Sequence, residues 1–189
     1  MLWYKASGTS TTEGTIIGNK NWISGNNPGF NLGDMKEGVT FNMNTVGGER
    51  RDTRRYSSAT DDKWHHIAVV ADRENSKTMT LYIDGEQAEK PVDISGLWRS
   101  IDAYDFLLGA SNKEDGSKFL AVDDAYIDEL SVYNYTLSKT EIQNGAEEYL
   151  ADMELQKIKK QVEGVAAGER YEQKAISDML KKLKLHKLL

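Results

Sequence analysis

The chain of 189 residues has no cysteine, only two prolines and no long apolar run. The absence of cysteine excludes disulfides and metal ions held by thiolates. No stretch approaches the ~18 apolar residues of a membrane span, so insertion into a bilayer is not expected. The net charge of −6 disfavours nucleic acid and anionic membranes as partners, because both are bound by basic surfaces.

Composition divides the chain into two parts. Residues 1–143 carry 15 basic and 22 acidic residues, contain both prolines and are rich in Gly, Asn, Thr and Ser. Residues 144–189 are dense in Glu, Lys, Leu and Ala, a composition typical of helices. The pair Ser138 and Glu141 has the spacing of a capping box that opens a helix. We therefore predict a β-domain over 1–143 and a helical extension, or linker to a further domain, over 144–189, with breaks at Gly164 and Gly168.

The clearest strand signal is the run from Trp64 to Arg73, which is rich in β-branched and aromatic residues. A polar gap over 74–77 predicts a hairpin, and a second such run follows over 80–83. The dipeptide Asp84-Gly85 is typical of a tight turn that needs positive φ. This pattern favours an antiparallel sheet.

Further short strands are predicted on both sides of this hairpin. In the run 39–44, Val39, Phe41 and Met43 alternate with polar residues, so one face is expected to lie in the core. Because no helices are interleaved with the strands, an all-β, antiparallel two-sheet sandwich or jelly roll is favoured over a parallel α/β fold. The predicted strands are 2–6, 14–19, 29–33, 39–44, 50–56, 64–72, 79–83, 105–109, 119–122 and 125–133, the last with a bulge near Asp128-Glu129.

Four blocks resemble the laminin G-like domains of the concanavalin A-like lectin/glucanase superfamily. They are Trp64–Val70, Leu81–Glu86, Leu107–Ala110 and Ile127–Ser138. The resemblance, which covers roughly Leu2 to Ile142, is greatest to bacterial modules attached to secreted or surface hydrolases and adhesins. It implies a concanavalin A-like jelly roll with one concave sheet. Such domains usually carry strands before the segment that resembles Leu2–Lys5, so an incompletely covered sheet edge is expected.

The sequence does not favour catalysis. Retaining glucanases of this superfamily place two carboxylates on one strand face, ~5–5.5 Å apart. Here Asp128 has Tyr126 and Leu130 as its neighbours two residues away, so that motif is absent. The adjacent His65 and His66 are expected on opposite faces of a strand, one towards the core and one towards the surface.

A carbohydrate-binding face is the main functional hypothesis. Runs of amide, guanidinium and aromatic side chains suit sugars, whose rings stack on aromatic faces and whose hydroxyls pair with planar polar groups. An arginine cluster over 50–55 would select an acidic sugar; alternatively, these arginines pair with nearby carboxylates. For Trp22, the alternative is a plug at the edge of the sandwich. The predicted ligand-binding residues are Asn19, Trp22, Asn42, Asn44, Arg51, Asp52, Arg54 and Tyr56.

A structural calcium ion is the candidate cofactor. The resemblance places Asp128 near where jelly rolls of this superfamily hold Ca²⁺, and Asp124 lies close in sequence. The alternative is that both are solvated turn carboxylates.

These features together predict a non-catalytic, glycan-binding accessory module of a larger secreted or surface bacterial protein. Its partners would be a glycan, acidic if the arginines are free, and the adjacent domains of the same polypeptide. The predicted location is extracellular or at the cell surface. The competing hypothesis is a spacer without a ligand of its own that packs on a neighbouring domain; a blocked concave face would favour it.

Overall fold

The structure is a computed structural model that describes residues 1–6, 14–21, 26–35, 38–102, 104–112, 118–120 and 124–166. The first compact unit is Met1–Ile142, and the second begins at Gln143. No helix in the described ranges is long and apolar enough to cross a membrane. The predicted binding residue Trp22 and the predicted helix break at Gly168 lie outside these ranges.

Thirteen strands are described in the first unit, followed by one long helix. The strands are β1 (Leu2–Ala6), β2 (Gly14–Gly18), β3 (Gly29–Met35), β4 (Gly38–Asn44), β5 (Arg51–Asp52), β6 (His65–Asp72), β7 (Thr78–Ile83), β8 (Glu86–Gln87), β9 (Val92–Asp93), β10 (Leu107–Leu108), β11 (Ala110–Asn112), β12 (Lys118–Leu120) and β13 (Ala125–Asp128). A short 3₁₀ helix covers Ser57–Ala59, and helix α1 covers Lys139–Ala166.

The strands form two main antiparallel sheets. The six-stranded sheet has the order β13-β1-β6-β7-β8, with β9 also paired to β7. The five-stranded sheet has the order β10-β2-β3-β4-β5, and β11 pairs with β12 alone. The apolar faces of both main sheets meet in one core, so the predicted two-sheet sandwich is confirmed.

Alternation along the strands builds that core. Val39, Phe41 and Met43 of β4 are buried in it, as their period-2 spacing predicts. From the other sheet, Ile67 and Leu81 pack into the same core. Burial of side chains of this size stabilises a fold by about 1.5–3 kcal/mol each.

One buried polar contact links the two sheets across the core. The Tyr4 hydroxyl on β1 donates to Asp34 Oδ2 on β3 at 2.7 Å. Burial raises the pKa of Tyr4, and the Asp34 charge adds to the effect. Burial also raises the pKa of Asp34, although the hydrogen bond from Tyr4 opposes this. Each group supplies a hydrogen-bond partner to the other, so neither is left unpaired in the core.

The predicted hairpin and turn are confirmed. Strands β6 and β7 pair antiparallel from Ile67–Ile83 to Asp72–Thr78. Asp72 closes the hairpin by accepting the backbone N–H groups of Glu74, Asn75 and Ser76, which lowers its pKa to about 2. At the other end, Asp84 and Gly85 have φ of 52° and 78°.

Several predicted boundaries are wrong. The strand over 125–133 ends at Asp128, because Glu129 takes a φ of 48° and breaks the extended backbone. The strand over 50–56 shrinks to Arg51–Asp52. Gly164 does not break α1, which continues to Ala166. A glycine costs a helix only about 1 kcal/mol, and this helix tolerates it.

The predicted capping box is present at the start of α1. The Glu141 N–H donates to Ser138 Oγ at 3.2 Å, and the Ser138 N–H donates to Glu141 Oε2 at 2.7 Å. These reciprocal bonds satisfy two backbone donors that the helix itself leaves open, and they lower the pKa of Glu141.

Candidate functional site

A row of residues crosses the outer face of the five-stranded sheet, the face that points away from the core. Gly18 lies opposite Asn31, Asn31 opposite Asn42, and Asn42 opposite Asp52. The next positions along these strands carry the core residues Leu32 and Phe41, so the row takes the opposite face by alternation. We call Asn31, Asn42 and Asp52, together with Lys20, the polar row.

Lys20 adds a positive charge to the polar row. Its Nζ donates to Asn42 Oδ1 at 3.0 Å, and the residue is 5% exposed. Burial lowers the pKa of Lys20 to about 8; the Arg50 charge lowers it further, and the Asp52 charge opposes both. A cation that is already partly desolvated is well suited to an anionic ligand, because little further desolvation opposes binding.

Asn31 carries a buried hydrogen-bond acceptor that the described residues leave without a donor. The residue is 4% exposed, and its Oδ1 has no hydrogen-bond partner in the described part of the chain. An unpartnered buried acceptor costs about 1–3 kcal/mol. Buried acceptors are usually hydrogen-bonded, so a ligand or a water molecule is expected to supply the donor here.

Two of the predicted asparagines have structural contacts. Asn19 donates through Nδ2 to the Ile101 carbonyl at 2.9 Å and accepts the Phe30 N–H at 2.9 Å. Asn44 donates through Nδ2 to the Asn26 carbonyl at 2.7 Å and accepts the Thr45 N–H at 2.8 Å. These amides fix neighbouring loops and have little capacity left for a ligand.

The predicted arginines all have carboxylate partners, as the alternative interpretation expected. Arg51 Nη1 lies 3.4 Å from Glu49 Oε2, and Arg54 Nε lies 3.8 Å from Glu89 Oε2. At the open end of the polar row, Arg50 Nε donates to Asp52 Oδ1 at 2.7 Å. These pairs are exposed enough for solvent to screen them, so a charged ligand competes with weak partners.

The adjacent residues Arg51 and Asp52 lie on opposite faces of the sheet. Arg51 lies opposite the core residue Met43, whereas Asp52 lies opposite Asn42 on the outer face. After Asp52 the chain is irregular, and Tyr56 bonds through its backbone to Val39. Tyr56 is half-buried; its burial and the nearby Glu89 charge raise the pKa of its hydroxyl.

The polar row is largely buried at one end and open at the other. Strand β11 crosses near β2, where the hydroxyls of Ser111 and Thr15 are hydrogen-bonded. Asn42 is only 3% exposed, whereas the Asp52 side chain is 39% exposed. A ligand therefore has its clearest access from the β5 end.

Sequence reasoning missed Lys20 and Asn31. Asn31 has the same spacing signal as Asn42, since it alternates with Phe30 and Leu32, but only the β3–β4 register shows that the two amides are adjacent. Lys20 stands within an amide-rich run, and its position over Asn42 depends on the chain path after β2.

The two adjacent histidines point to opposite faces, as predicted. His66 is 1% exposed and lies 5.4 Å from the Trp3 ring; burial is the main cause that lowers its pKa to about 4. His65 lies between two carboxylates, with Nε2 2.8 Å from Asp61 and Nδ1 2.8 Å from Asp84. Burial opposes the charged form of His65, but the hydrogen bonds to Asp61 and Asp84 outweigh it and raise its pKa.

The described residues do not form a set of ligands for the predicted calcium ion. Asp124 directly precedes β13, a strand about 10 Å long at ~3.4 Å per residue, and Asp128 is the last residue of that strand. Asp128 Oδ1 accepts the N–H of Glu129 at 2.9 Å. Within the described ranges, no three His, Cys, Asp or Glu side chains cluster as metal ligands. These two carboxylates do not supply the six to eight oxygens that Ca²⁺ takes, and calcium stays a prediction.

Comparisons with known proteins support this architecture. A family model described as the concanavalin A-like lectin/glucanases superfamily matches residues 1–143. Among curated proteins, no sequence matches this chain.

Several solved structures share the fold. The CBM40 domain of Ruminococcus gnavus IT-sialidase bound to alpha2,3 sialyllactose has a TM-score of 0.57 and 19% identity, over 77% of this chain and 79% of that chain. The receptor binding domain of botulinum neurotoxin D has a TM-score of 0.57 and 18% identity, over 78% of this chain and 36% of that chain. The binding domain of Paraclostridial Mosquitocidal Protein 1 has a TM-score of 0.54 and 18% identity, over 78% and 36%. With its matched residues spanning the whole sandwich, the chain belongs to the concanavalin A-like lectin/glucanases superfamily.

Proposed function

We propose that this protein is a non-catalytic carbohydrate-binding module whose contact surface is the polar row. The observation that carries the proposal is the alignment of Asn31, Asn42 and Asp52 across three adjacent strands, with Lys20 bonded to the central amide. The proposal is supported by similar folds among binding modules, one of which is bound to sialyllactose.

The chemistry of the polar row fits a hydroxylated ligand with a negative charge. Asn31 Oδ1 accepts a hydrogen bond from a sugar hydroxyl, which relieves an acceptor without a partner. A carboxylate approaches Lys20 and Arg50, whose charges already act on each other. Asp52 then accepts from a further hydroxyl, as carboxylates do in carbohydrate sites. The ligand class is an acidic glycan that carries a sialic or uronic acid.

Such a module acts by raising local concentration. Binding would hold a linked catalytic or adhesive domain of a secreted or surface bacterial protein near its glycan, outside the cell. No reaction step is assigned to the sandwich, because Asp128 lacks a second carboxylate on its strand face.

The experiment is a glycan array followed by calorimetric titration with sialyllactose, lactose and glucuronate. We expect the two acidic ligands to bind and lactose to bind at least about tenfold more weakly. Lys20→Met should abolish the preference for acidic glycans. Lys157 is an exposed lysine on α1, and Lys157→Met should leave that preference unchanged. Silence across neutral and acidic glycans would overturn the proposal.

A spacer without a ligand is the second candidate, and burial favours it. Asn31 and Asn42 are 4% and 3% exposed, and the neighbouring arginines already have carboxylate partners. The two candidates differ in how the polar row contributes to stability. In a spacer, Asn42→Ala affects only the free energy of unfolding; in a binding module, it also removes the heat of glycan binding.

A further inference from the structure

A tryptophan is presented to solvent by the loop over residues 94–101, which we call the Trp98 loop. The Trp98 side chain is 71% exposed, and no other aromatic ring of the described residues contacts it. Tryptophan is highly buried on average, because its large ring gains most from leaving water. An exposed indole on a folded domain is therefore a candidate contact residue for a ligand.

The backbone of the Trp98 loop is fixed on both sides of the exposed ring. Arg73 Nε donates to the Leu97 carbonyl at 2.9 Å, and Arg73 Nη2 donates to the Arg99 carbonyl. The Ser100 carbonyl accepts the Val46 N–H at 3.1 Å. The indole is thus held in its exposed position by the fold, so a ligand that covers it has little ordering entropy to overcome.

The Arg99 guanidinium is held against the same ring. Its Cζ lies over the Trp98 ring, 4.9 Å from the centroid. Arg99 also approaches the turn at Gly47, where an added Cβ would stand 3.0 Å from Nη1 and where φ is 69°. Glycine at this turn leaves room for the guanidinium. A guanidinium that stacks on an aromatic face is fixed in orientation and keeps the N–H donors in its own plane.

Arg99 differs from the arginines beside β5. Arg51 and Arg54 have carboxylate partners. Within the part of the chain that the structure describes, no carboxylate or other acceptor binds the Arg99 guanidinium. Its planar fork of donors matches a carboxylate bidentately. In a chain with a net charge of −6, this guanidinium is available for an anionic ligand.

We propose that Trp98 and Arg99 form a second glycan-binding site, which takes a uronic acid residue of an acidic glycan. The apolar C–H face of the pyranose ring stacks on the exposed indole, and the carboxylate pairs with the Arg99 fork. The site uses none of the residues of the polar row, and only its ligand class rests on the proposed function. An aspartate or glutamate of a partner peptide would engage the guanidinium but carries no ring for the indole.

The test is an NMR titration of the whole chain with methyl glucuronide, followed at the indole Nε1–H of Trp98. Methyl glucoside is the control ligand, since it has the same ring without the carboxylate. We expect the glucuronide to shift this resonance to saturation and the glucoside to bind at least about tenfold more weakly. N-acetylglutamate amide, which represents an acidic peptide, should leave the resonance in place at the same concentration.

Three variants separate the indole, the guanidinium and a general surface effect. Trp98→Ala should weaken glucuronide binding at least about tenfold, because the stacking face is lost. Arg99→Lys keeps the charge but not the planar fork, and a loss of about fivefold is expected. Tyr126→Ala removes a ring that is 61% exposed on β13 and should bind within about twofold of the original chain. All three positions are exposed, so folding is expected to be unchanged.

The side-chain amide of Asn42 reports on the polar row in the same titration. A shifted Asn42 amide with an unmoved Trp98 resonance would overturn the second site and leave the polar row intact. A shifted Trp98 resonance with an unmoved Asn42 amide, retained in Lys20→Met, would support the second site and count against the polar row. Equal binding of the glucoside, equal binding of N-acetylglutamate amide, or unchanged binding in either Trp98→Ala or Arg99→Lys would overturn the inference.

Discussion

On the outer face of the five-stranded sheet, Asn31 and Asn42 are 4% and 3% exposed, whereas Val132 and Tyr135, in the segment after β13, are 73% and 57% exposed. Burying polar groups and exposing apolar ones both oppose stability. A chain under selection for stability alone would bury the apolar side chains and expose the polar ones. The unpartnered Asn31 acceptor is the feature of this face that the proposed glycan would satisfy.

The largest expected effect contrasts the core with the exposed segment after β13. Leu81→Ala removes a fully buried side chain and should lower the free energy of unfolding by about 2–5 kcal/mol. Val132→Ala removes an exposed one and should change it by less than about 0.5 kcal/mol. Urea unfolding of both variants measures the difference. Equal losses would mean that the Val132 side chain packs as part of the core.

Two asparagines on the five-stranded sheet are expected to contribute to stability with opposite signs. Asn44→Ala should cost about 1–3 kcal/mol, because its amide bonds to the Asn26 carbonyl and the Thr45 N–H. Asn31→Leu should be neutral or stabilising by up to about 1 kcal/mol, since it removes an acceptor without a partner. The same denaturation assay tests both. A clear loss for Asn31→Leu would show that its carbonyl is satisfied within the fold.

The two histidines should give stability opposite dependences on pH. His65 has a raised folded-state pKa, so its stabilisation is complete below about 6.5 and is lost as pH rises through that folded pKa. His66 has a folded-state pKa of about 4, so its contribution is present above about 6.5 and is lost as pH falls towards 4.

Melting temperatures measured from pH 4 to 9 check this pair. In His65→Gln, the loss of stability at alkaline pH should disappear. That loss is about 1.4 kcal/mol for each unit by which the folded-state pKa exceeds the unfolded one. The loss of stability at acidic pH should remain. Persistence of the alkaline loss in that variant would assign it to a group other than His65.

The smallest expected effect concerns calcium. Asp124 and Asp128 lack a third clustered ligand in the described ranges, so we expect excess Ca²⁺ or a chelator to move the melting temperature by no more than about 1 °C. Saturation at 100 times the dissociation constant would stabilise by about 2.7 kcal/mol. A rise of several degrees, lost in Asp128→Asn, would establish a calcium site there.

The sequence predicted most of the fold because local patterns dictate it. The alternation of Val39, Phe41 and Met43 identified a core face, and Asp84-Gly85 identified a turn, before any tertiary information. The end of β13 was not predictable, because the positive φ of Glu129 that ends the strand leaves no signal in the residue pattern over 125–133.

The site was harder to predict than the fold. Asn42 and Asp52 were identified from composition, but their alignment with Asn31 requires the register of three strands. The arginines looked like a binding cluster because the sequence does not show that Glu49 and Glu89 lie beside them. Asn44 has the same alternation signal as Asn42, and only the hydrogen bonds show that it fixes a loop.

Glycan binding by the polar row is tested by a sialyllactose titration followed by NMR of the asparagine side-chain amides. If the polar row is the glycan surface, the Nδ2 resonances of Asn31 and Asn42 shift and saturate with the calorimetric affinity, while that of Asn44 stays in place. Unchanged Asn31 and Asn42 resonances at a ligand concentration that saturates the protein would contradict the account.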